Sequence, residues 1–222
     1  MQWSQRISER DASGRGRTGS PEAGEEAGES ARVLVRVLAE RSPDLGAHHV
    51  DVADLCEIVC RRLGLAEEDI EAIVEAAALH DIGKAALPDA ILDKPGPLSE
   101  EEWEVMRDHT VIGERILAAA PSLERASVIV RASHERWDGT GYPDGIAGEE
   151  IPFGSRIIAV CDAYDAMSAR RPYRPPSAPR RVLTELRDCS GTQFDPFVVD
   201  AFCAVLTERL AVRAAEPVIS RR

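Results

Sequence analysis

The chain has 222 residues, of which 44% are hydrophobic and 30% are charged, a composition typical of a globular domain with a substantial core. This length excludes a small disulfide-stapled domain. Because 27 lysines and arginines stand against 39 aspartates and glutamates, the formal net charge is −12, which argues against broad binding to DNA or RNA.

The cysteines and the lengths of the apolar runs bear on the cellular compartment of the protein. None of the five cysteines forms a CxxC pair, and Cys56 and Cys60 lie in an apolar helical pattern, so we predict reduced thiols that fill the core. No stretch approaches the roughly 18 consecutive apolar residues of a membrane span, and the N-terminus lacks the apolar centre of a signal peptide. We therefore expect a cytoplasmic protein without a membrane partner.

Hydrophobic periodicity predicts the fold class. Residues 1–30 are rich in glycine, serine, proline and charge and are predicted to be a disordered tail. Beyond them, apolar residues recur at spacings of three and four, without sustained alternation, which predicts an all-α fold. We expect one domain over residues 31–215, a bundle of about seven to eight helices, and a short C-terminal tail over residues 216–222.

Residues typical of helix starts and ends separate the predicted helices. Gly64 ends the second helix, and Ser99 with Glu102 forms a capping box that opens the fourth. Four glycines and two prolines between Trp137 and Pro152 predict a structured loop. The approximate helical ranges are 31–41, 46–63, 67–86, 99–120, 122–135, 153–169, 178–189 and 195–213.

The third predicted helix directs polar groups toward the core. Its apolar face consists of Ile70, Ile73, Val74 and Ala77. Continuation of that face places His80, Asp81 and Lys84 on the same side of the helix. A buried carboxylate is costly unless it is compensated, and a divalent cation would compensate it. A buried Asp–Lys ion pair beside a hydrogen-bonded histidine explains the pattern equally well.

The other histidines extend the candidate ligand set. They are His48, His49, His109 and His134. Neutral imidazoles with carboxylates are ligands for zinc, iron or manganese, and helices of one bundle can direct them to a common centre. The periodicity of the second helix permits either of the two adjacent histidines to point inward and does not choose between them.

Six sequence motifs extend along most of the chain. They are HDIGK at 80–84, HTVIG at 109–113, HERWDGTGYPDG at 134–145, RIIAVCDAYDAM at 156–167, RPYR at 171–174 and GTQFDP at 191–196. Together they resemble the HD-GYP family, a branch of the HD metallophosphohydrolases. The resemblance covers residues 33–208 and implies an HD-domain helical bundle with a structured GYP loop.

The resemblance also implies an activity and a metal centre. Members bind two or three transition-metal ions, commonly iron or manganese, and hydrolyse cyclic di-GMP to pGpG or further to GMP. The implied ligands are His48, His80, Asp81, His109, His134 and Asp162. Asp81 is implied to bridge the ions, and hydroxide held between them is the expected nucleophile. Asp44 is either a carboxylate for a third ion or a helix N-cap.

Residues beside the implied centre are candidates for substrate binding. Lys84 is expected to neutralise a phosphate oxygen, or else to pair with a helix carboxylate. Tyr142 offers a ring and a hydroxyl to a cyclic dinucleotide, or else packs in a rigid corner. Arg171 and Arg174 match positions that contact phosphates or guanines in the family, and otherwise they are surface arginines.

One position departs from the family pattern. Members have two consecutive histidines ahead of the GYP loop, whereas this chain has Ser133 and then His134. The missing imidazole predicts a weakened second metal site. Two further functions therefore stay open: an inactive module that binds cyclic di-GMP or acts as a scaffold, and a phosphohydrolase of another nucleotide. A protein partner bound through the N-terminal tail, or dimerisation, is compatible with both.

Overall fold

The computed structural model describes residues 21–41, 43–168 and 177–215, and in these ranges it is built from helices and loops. The helices are α1 (Pro21–Arg41), α2 (Pro43–Leu63), α3 (Glu67–Leu79), α4 (Asp89–Leu92), α5 (Glu100–Arg107), α6 (His109–Ala118), α7 (Glu124–Arg131), α8 (Phe153–Ser168), α9 (Pro179–Asp188) and α10 (Pro196–Ala215). Short 3-10 segments cover Ile82–Ala86, Pro121–Leu123 and Gly148–Glu150. No strand occurs in the described ranges, so the all-α prediction is confirmed.

The core forms where α2 packs against α3 and α8. The predicted inward stripe of α2 is buried at Val52, Cys56, Val59 and Cys60. All five cysteines are free thiols, and four of them are buried, as expected of cysteines that fill the core: Cys56, Cys60, Cys161 and Cys203. Among the described residues, no helix combines the length and the apolar character that crossing a membrane requires.

Helix α1 begins at Pro21, earlier than the predicted start near residue 31. Ala31 and Leu38 are buried and fix the helix against the core. Once such a nucleus exists, each further residue gains one backbone hydrogen bond, so the helix extends into a segment of low aliphatic content. Residues 1–20 and 216–222 lie outside the described residues, and the domain boundaries stay a prediction.

The third helix is shorter than predicted, because α3 ends at Leu79 and a 3-10 segment starts at Ile82. His80 caps α3 and its Nδ1 lies 2.8 Å from the carbonyl oxygen of Ala77. The change in chain direction after α3 brings Gly83 against α6. A Cβ atom on residue 83 would collide with the carbonyl of His109 and lie 2.7 Å from the nitrogen of Gly113. This close approach requires a residue without a side chain.

Two other predicted helices also break. The Ser99 capping box is confirmed, with Glu102 accepting from the Ser99 backbone at 2.7 Å, but the helix is interrupted at Asp108 and continues as α6. The predicted helix 122–135 ends at Arg131, so His134 lies in the turn that follows it. The breaks place histidines at helix ends, where their rings can converge.

The loop between Trp137 and Pro152 is structured, as predicted. The carboxylate of Glu135 accepts hydrogen bonds from the backbone of Asp144 at 2.7 Å and of Gly145 at 3.0 Å. Asp138 donates from its backbone to the carbonyl of Thr192 at 2.8 Å. These bonds fix the segment that carries Tyr142 next to His134.

We predict that Gly83→Ala destabilises the protein by about 1–3 kcal/mol or more, because the added methyl group must displace the backbone of α6. Gly28→Ala is the matched control, since a Cβ at Gly28 meets no atom within 4 Å and alanine favours the helix. Chemical denaturation measures both. Equal stability of the two variants would contradict the close approach.

Glu75 is a partly buried carboxyl group on α3. Burial, together with the nearby Glu71, raises the pKa of Glu75 from 4.5 to about 7. As pH rises, the Glu75 carboxyl group therefore loses its proton at a higher pH in the folded state than in the unfolded state. The resulting contribution to stability is complete below pH 4.5 and is lost as pH rises to about 7.

We predict that Glu75→Gln stabilises the protein by roughly 1–3 kcal/mol at pH 8 and has little effect at pH 4. The reason is that glutamine cannot ionise. Free energies of unfolding measured at the two pH values test this. Glu104→Gln, at an exposed position of α5, should leave stability nearly unchanged at both. An equal change in the free energy of unfolding at both pH values would contradict the raised pKa of Glu75.

Candidate metal centre

The ends of several helices bring the histidines of the chain together with Asp81. His48 and His49 come from the first half of α2, and His80 and Asp81 from the junction after α3. His109 is the first residue of α6, and His134 follows α7. The helix breaks described above therefore help to form the site, because His80, His109 and His134 each lie at a break or within three residues of one.

Two groups of potential ligands share Asp81. In the first group, His48, His49, His80 and Asp81 each offer an atom, and these atoms lie within 4.8 Å of one another. In the second group, Asp81, His109 and His134 do the same. We call them the Oδ2-side group and the Oδ1-side group, because His49 Nε2 lies 3.3 Å from Asp81 Oδ2 and His109 Nε2 lies 3.4 Å from Asp81 Oδ1.

Backbone carbonyls orient two of the rings. Nδ1 of His80 lies 2.8 Å from the Ala77 carbonyl, and Nδ1 of His109 lies 2.7 Å from the Met106 carbonyl. Because a carbonyl oxygen only accepts, the proton of a neutral ring belongs on Nδ1. The lone pair on Nε2 then faces Asp81, which is the arrangement typical of a histidine that ligates a metal.

Several atoms of the centre are buried without a hydrogen-bond partner. They are Asp81 Oδ1, His49 Nδ1, His109 Nε2 and His134 Nε2. An unpaired buried polar group costs about 1–3 kcal/mol, so four in one place require a compensating partner. A divalent transition metal is a suitable partner, since it binds both carboxylate oxygen and imidazole nitrogen. The residues of the centre thus fit the implied cofactor.

The charge states of the centre favour cation binding. Burial alone would raise the pKa of Asp81, but Lys84 and His80 hold it well below its usual range. Burial lowers the pKa of His49 to about 4 and that of His134 to about 4, and it also lowers the pKa of His109. At neutral pH the Asp81 carboxylate is therefore ionised, and the imidazoles of His49, His109 and His134 are neutral, which are the protonation states that bind metal.

His48 is held by two carboxylates. Its Nε2 lies 3.0 Å from Asp162 Oδ1, and its Nδ1 lies 2.5 Å from Asp165 Oδ2. Burial alone would lower the pKa of His48, but these bonds raise it to about 9. Burial would raise the pKa of Asp162, yet the bond from His48 lowers it to about 2. Asp162 contacts His48 but belongs to neither ligand group.

Asp165 did not emerge from sequence reasoning. It lies three residues after Asp162 on α8, so both carboxylates can face His48 from the same side of the helix. That spacing was visible in the motif RIIAVCDAYDAM and could have indicated a second carboxylate.

The predicted Asp–Lys ion pair is also present, since Lys84 Nζ lies 2.6 Å from Asp81 Oδ2. Lys84 neutralises one oxygen of the carboxylate, whereas Asp81 Oδ1 keeps no hydrogen bond. The ion pair therefore leaves Asp81 Oδ1 without a partner. An Asp–Lys ion pair and a bound cation can both occur at this helix end.

Tyr142 lies beside the Oδ1-side group. Its ring stacks on that of His134, with centroids 5.1 Å apart and planes 10° apart. The guanidinium of Arg107 lies 5.8 Å from the ring centroid of Tyr142. Arg107 is exposed at the end of α5, and nothing in the sequence distinguished it from other surface arginines. Arg171 and Arg174, and the side chain of Asp44, lie outside the described residues.

Comparison with known proteins identifies relatives of this chain. A family model described as an HD domain matches residues 32–198. A cyclic di-GMP phosphodiesterase of Thermotoga maritima is 42% identical over 172 residues, 76% of this chain and 47% of that protein. A 3'3'-cGAMP-specific phosphodiesterase of Vibrio cholerae is 38% identical over 186 residues, 83% of this chain and 36% of that protein. The chain thus spans less than half the length of these relatives.

Solved structures share the fold. The HD domain of the L. monocytogenes phosphodiesterase PgpH, in complex with cyclic-di-AMP, superposes with a TM-score of 0.60 at 17% identity, over 84% of this chain and 99% of that one. A V. cholerae cyclic GMP-AMP phosphodiesterase gives a TM-score of 0.60 at 17% identity, over 77% of this chain and 46% of that one. At this identity the likeness concerns the fold.

We predict that Asp81→Asn reduces divalent-metal affinity at least about 100-fold, because both ligand groups lose their only carboxylate. Metal analysis of anaerobically loaded protein after gel filtration measures the effect. Asn is nearly isosteric, and circular dichroism verifies that the helices persist. Full metal retention by this variant would contradict a shared role of Asp81.

Proposed function

This chain belongs to the HD domain family and carries the motifs of its HD-GYP branch, and from that premise we propose that it is a metal-dependent phosphodiesterase of cyclic dinucleotides. Cyclic di-GMP is the proposed substrate, and pGpG and then GMP are the proposed products. The observation that supports this most is the buried Asp81 carboxylate, whose two oxygens face two separate groups of imidazoles.

The proposed ligands are the six that the resemblance implies: His48, His80, Asp81, His109, His134 and Asp162. Two divalent ions, manganese or iron, would make hydroxide available near neutral pH and stabilise charge on the phosphate. The nucleophile of the proposal is this solvent-derived hydroxide. The His80 and His109 rings, oriented by backbone carbonyls, would direct Nε2 at the ions.

Lys84 is proposed to contact the substrate phosphate. Its ammonium lies 2.6 Å from Asp81 and its side chain is 23% exposed, so it joins the buried carboxylate to solvent-accessible space. A lysine in this position can donate to a non-bridging phosphate oxygen and neutralise the negative charge that develops there.

Tyr142, Arg171 and Arg174 complete the proposed substrate site. The ring of Tyr142 is fixed by its stack on His134, which allows it to support a nucleobase or a ribose beside the centre. Local positive charge is needed because the net charge of −12 repels a dianionic ligand at low ionic strength. The exposed guanidinium of Arg107 adds such a charge next to Tyr142.

Ser133 supports a second candidate, a binding module with little or no turnover. Its side chain is buried, and its hydroxyl donates to the Val130 carbonyl at 2.8 Å. The Oδ1-side group has two imidazoles and one shared carboxylate, without the further imidazole that the family pattern has at this position. Weak binding of a metal ion by the Oδ1-side group would leave the binding of a cyclic dinucleotide intact and would reduce the rate of its hydrolysis.

Incubation with manganese or iron(II) under anaerobic conditions, followed by chromatography of the products, tests the proposal. Cyclic di-GMP, 3'3'-cGAMP and cyclic di-AMP form the substrate panel, and Asp81→Asn is the inactive control. We expect linear dinucleotide from cyclic di-GMP. Binding without turnover at full metal occupancy would favour the module, and preference for another dinucleotide would reassign the substrate.

We predict that Lys84→Ala lowers kcat about 10–1000-fold, because the phosphate loses a positioned cation in the transition state. Lys84→Arg should restore part of the activity, since it keeps the charge. Lys94→Ala is the matched control, because Lys94 pairs with Glu102 in another part of the chain. Steady-state kinetics of the metal-loaded protein measure all three. Equal kcat for Lys84→Ala and Lys94→Ala would exclude the role.

A further inference from the structure

We propose that Asp165 is a positioning residue of the metal centre. It holds the Nδ1 proton of His48 and thereby directs His48 Nε2 to a metal ion that is shared with Asp162. The inference deepens the proposed function and rests on it, because it requires that the centre binds a divalent metal. Asp165 is not one of the ligands that the resemblance implies.

Three histidines of the centre share one arrangement of their ring nitrogens. Nδ1 of His80 lies 2.8 Å from a backbone carbonyl, and Nδ1 of His109 lies 2.7 Å from another. In His48 the acceptor at Nδ1 is the carboxylate of Asp165, at 2.5 Å. Because these oxygens only accept, Nδ1 keeps its proton in each ring, and Nε2 is the nitrogen that can bind a metal.

The second nitrogen of His48 lies beside a candidate ligand. Its Nε2 is 3.0 Å from Asp162 Oδ1. Two ligand atoms that each lie about 2.1 Å from one ion, at a right angle, are about 3 Å apart. His48 and Asp162 therefore have the spacing of two ligands of one ion. An ion at this place takes the position of the proton on Nε2, and that proton passes to solvent.

Asp165 contacts the other side of the ring. Its carboxylate meets Nδ1, the nitrogen that does not face Asp162, so it supports His48 without sharing the ion on Nε2. The Asp165 side chain is 13% exposed, and that of Asp162 is 28% exposed. The more buried carboxylate thus supports the ring, and the more exposed one can meet an ion that arrives from solution.

The helices determine this division of roles. Asp162 and Asp165 are three residues apart on α8, so both can face His48 on the neighbouring helix α2. Asp51 lies three residues after His48 on α2 and is exposed. Since Asp162 and Asp165 already engage both nitrogens of the ring, Asp51 influences His48 through its charge alone.

Removal of the supporting carboxylate should weaken metal binding. A carboxylate at the second nitrogen fixes the ring and makes the imidazole a stronger donor, and its loss typically costs about 10–100-fold in metal affinity. Asp165→Ala leaves Nδ1 of His48 without an acceptor. In Asp165→Asn the amide can turn its NH₂ group to Nδ1, which favours the proton on Nε2, the nitrogen that should bind the ion.

Zinc(II) is the probe for the test, with the full chain, because it is diamagnetic and binds imidazole and carboxylate. Correlation of ¹⁵N with ring protons in histidine-labelled protein reports which nitrogen of each ring carries a proton and which binds zinc. The chain has five histidines, and His48→Gln assigns the His48 signals by their loss. In zinc-loaded wild type we expect His48 to be protonated at Nδ1 and ligated through Nε2.

Titration of the zinc-loaded protein with a chelator, followed at the His48 signals, measures the affinity of this ion specifically. Asp165→Ala and Asp165→Asn should lower it about 10–100-fold, and the number of ions bound at saturation should not change. Asp51→Asn is the matched control, since it removes a nearby negative charge without a contact to the ring, and it should leave the affinity nearly unchanged. Circular dichroism verifies that each variant is folded.

The outcomes separate this inference from the proposed function. Ligation of His48 through Nδ1, absence of zinc from His48 at saturation, or an unchanged affinity in both Asp165 variants would overturn the inference. Loss of one ion from Asp165→Asn at saturating zinc would make Asp165 a ligand and would overturn it too. The wild-type spectrum decides the matter even if a variant does not fold. Failure to bind either zinc or manganese would overturn the proposed function as well.

Discussion

The burial of one carboxylate determines how the rest of this site must be built. Asp81 is only 3% exposed, and an ionised group in such a place is unstable unless positive charge or a cation accompanies it. Lys84 and the surrounding imidazoles provide that environment and hold the pKa of Asp81 low. The surplus of buried nitrogens without partners shows that the centre is arranged for more than an internal ion pair.

The backbone around Asp81 explains how so many ligands can reach it. The sequence predicted that α3 would continue to about residue 86. The turn at His80 and Asp81 instead brings Gly83 against the backbone of α6, next to His109. The chain after α7 adds His134, and the loop fixed by Glu135 places Tyr142 on it. Local irregularity therefore produces the geometry of the candidate metal centre, and the regular helices α2, α3 and α8 support it.

The six ligands that the family motifs implied remain a prediction. Five of them lie in the two groups of potential ligands: His48, His80, Asp81, His109 and His134. Asp162 was expected to join them, but in the structure it contacts His48 together with Asp165, so its role as a ligand stays a prediction. Helix boundaries were also less accurate, because contacts such as that of Gly83 with α6 join residues distant in sequence.

The all-α fold, the apolar face of α3 and the family motifs were readable from the residues, because periodicity and motif spacing are local properties of the chain. Periodicity did not choose between His48 and His49, although the family resemblance implied His48 as the ligand. Neighbouring residues on a helix differ by about 100° in direction, so either ring could point inward. The packing of α2 against α3 and α8 decides that His49 faces Asp81 while His48 faces the carboxylates of α8. Only the assembled bundle shows that the two sides of Asp81 differ in their donors.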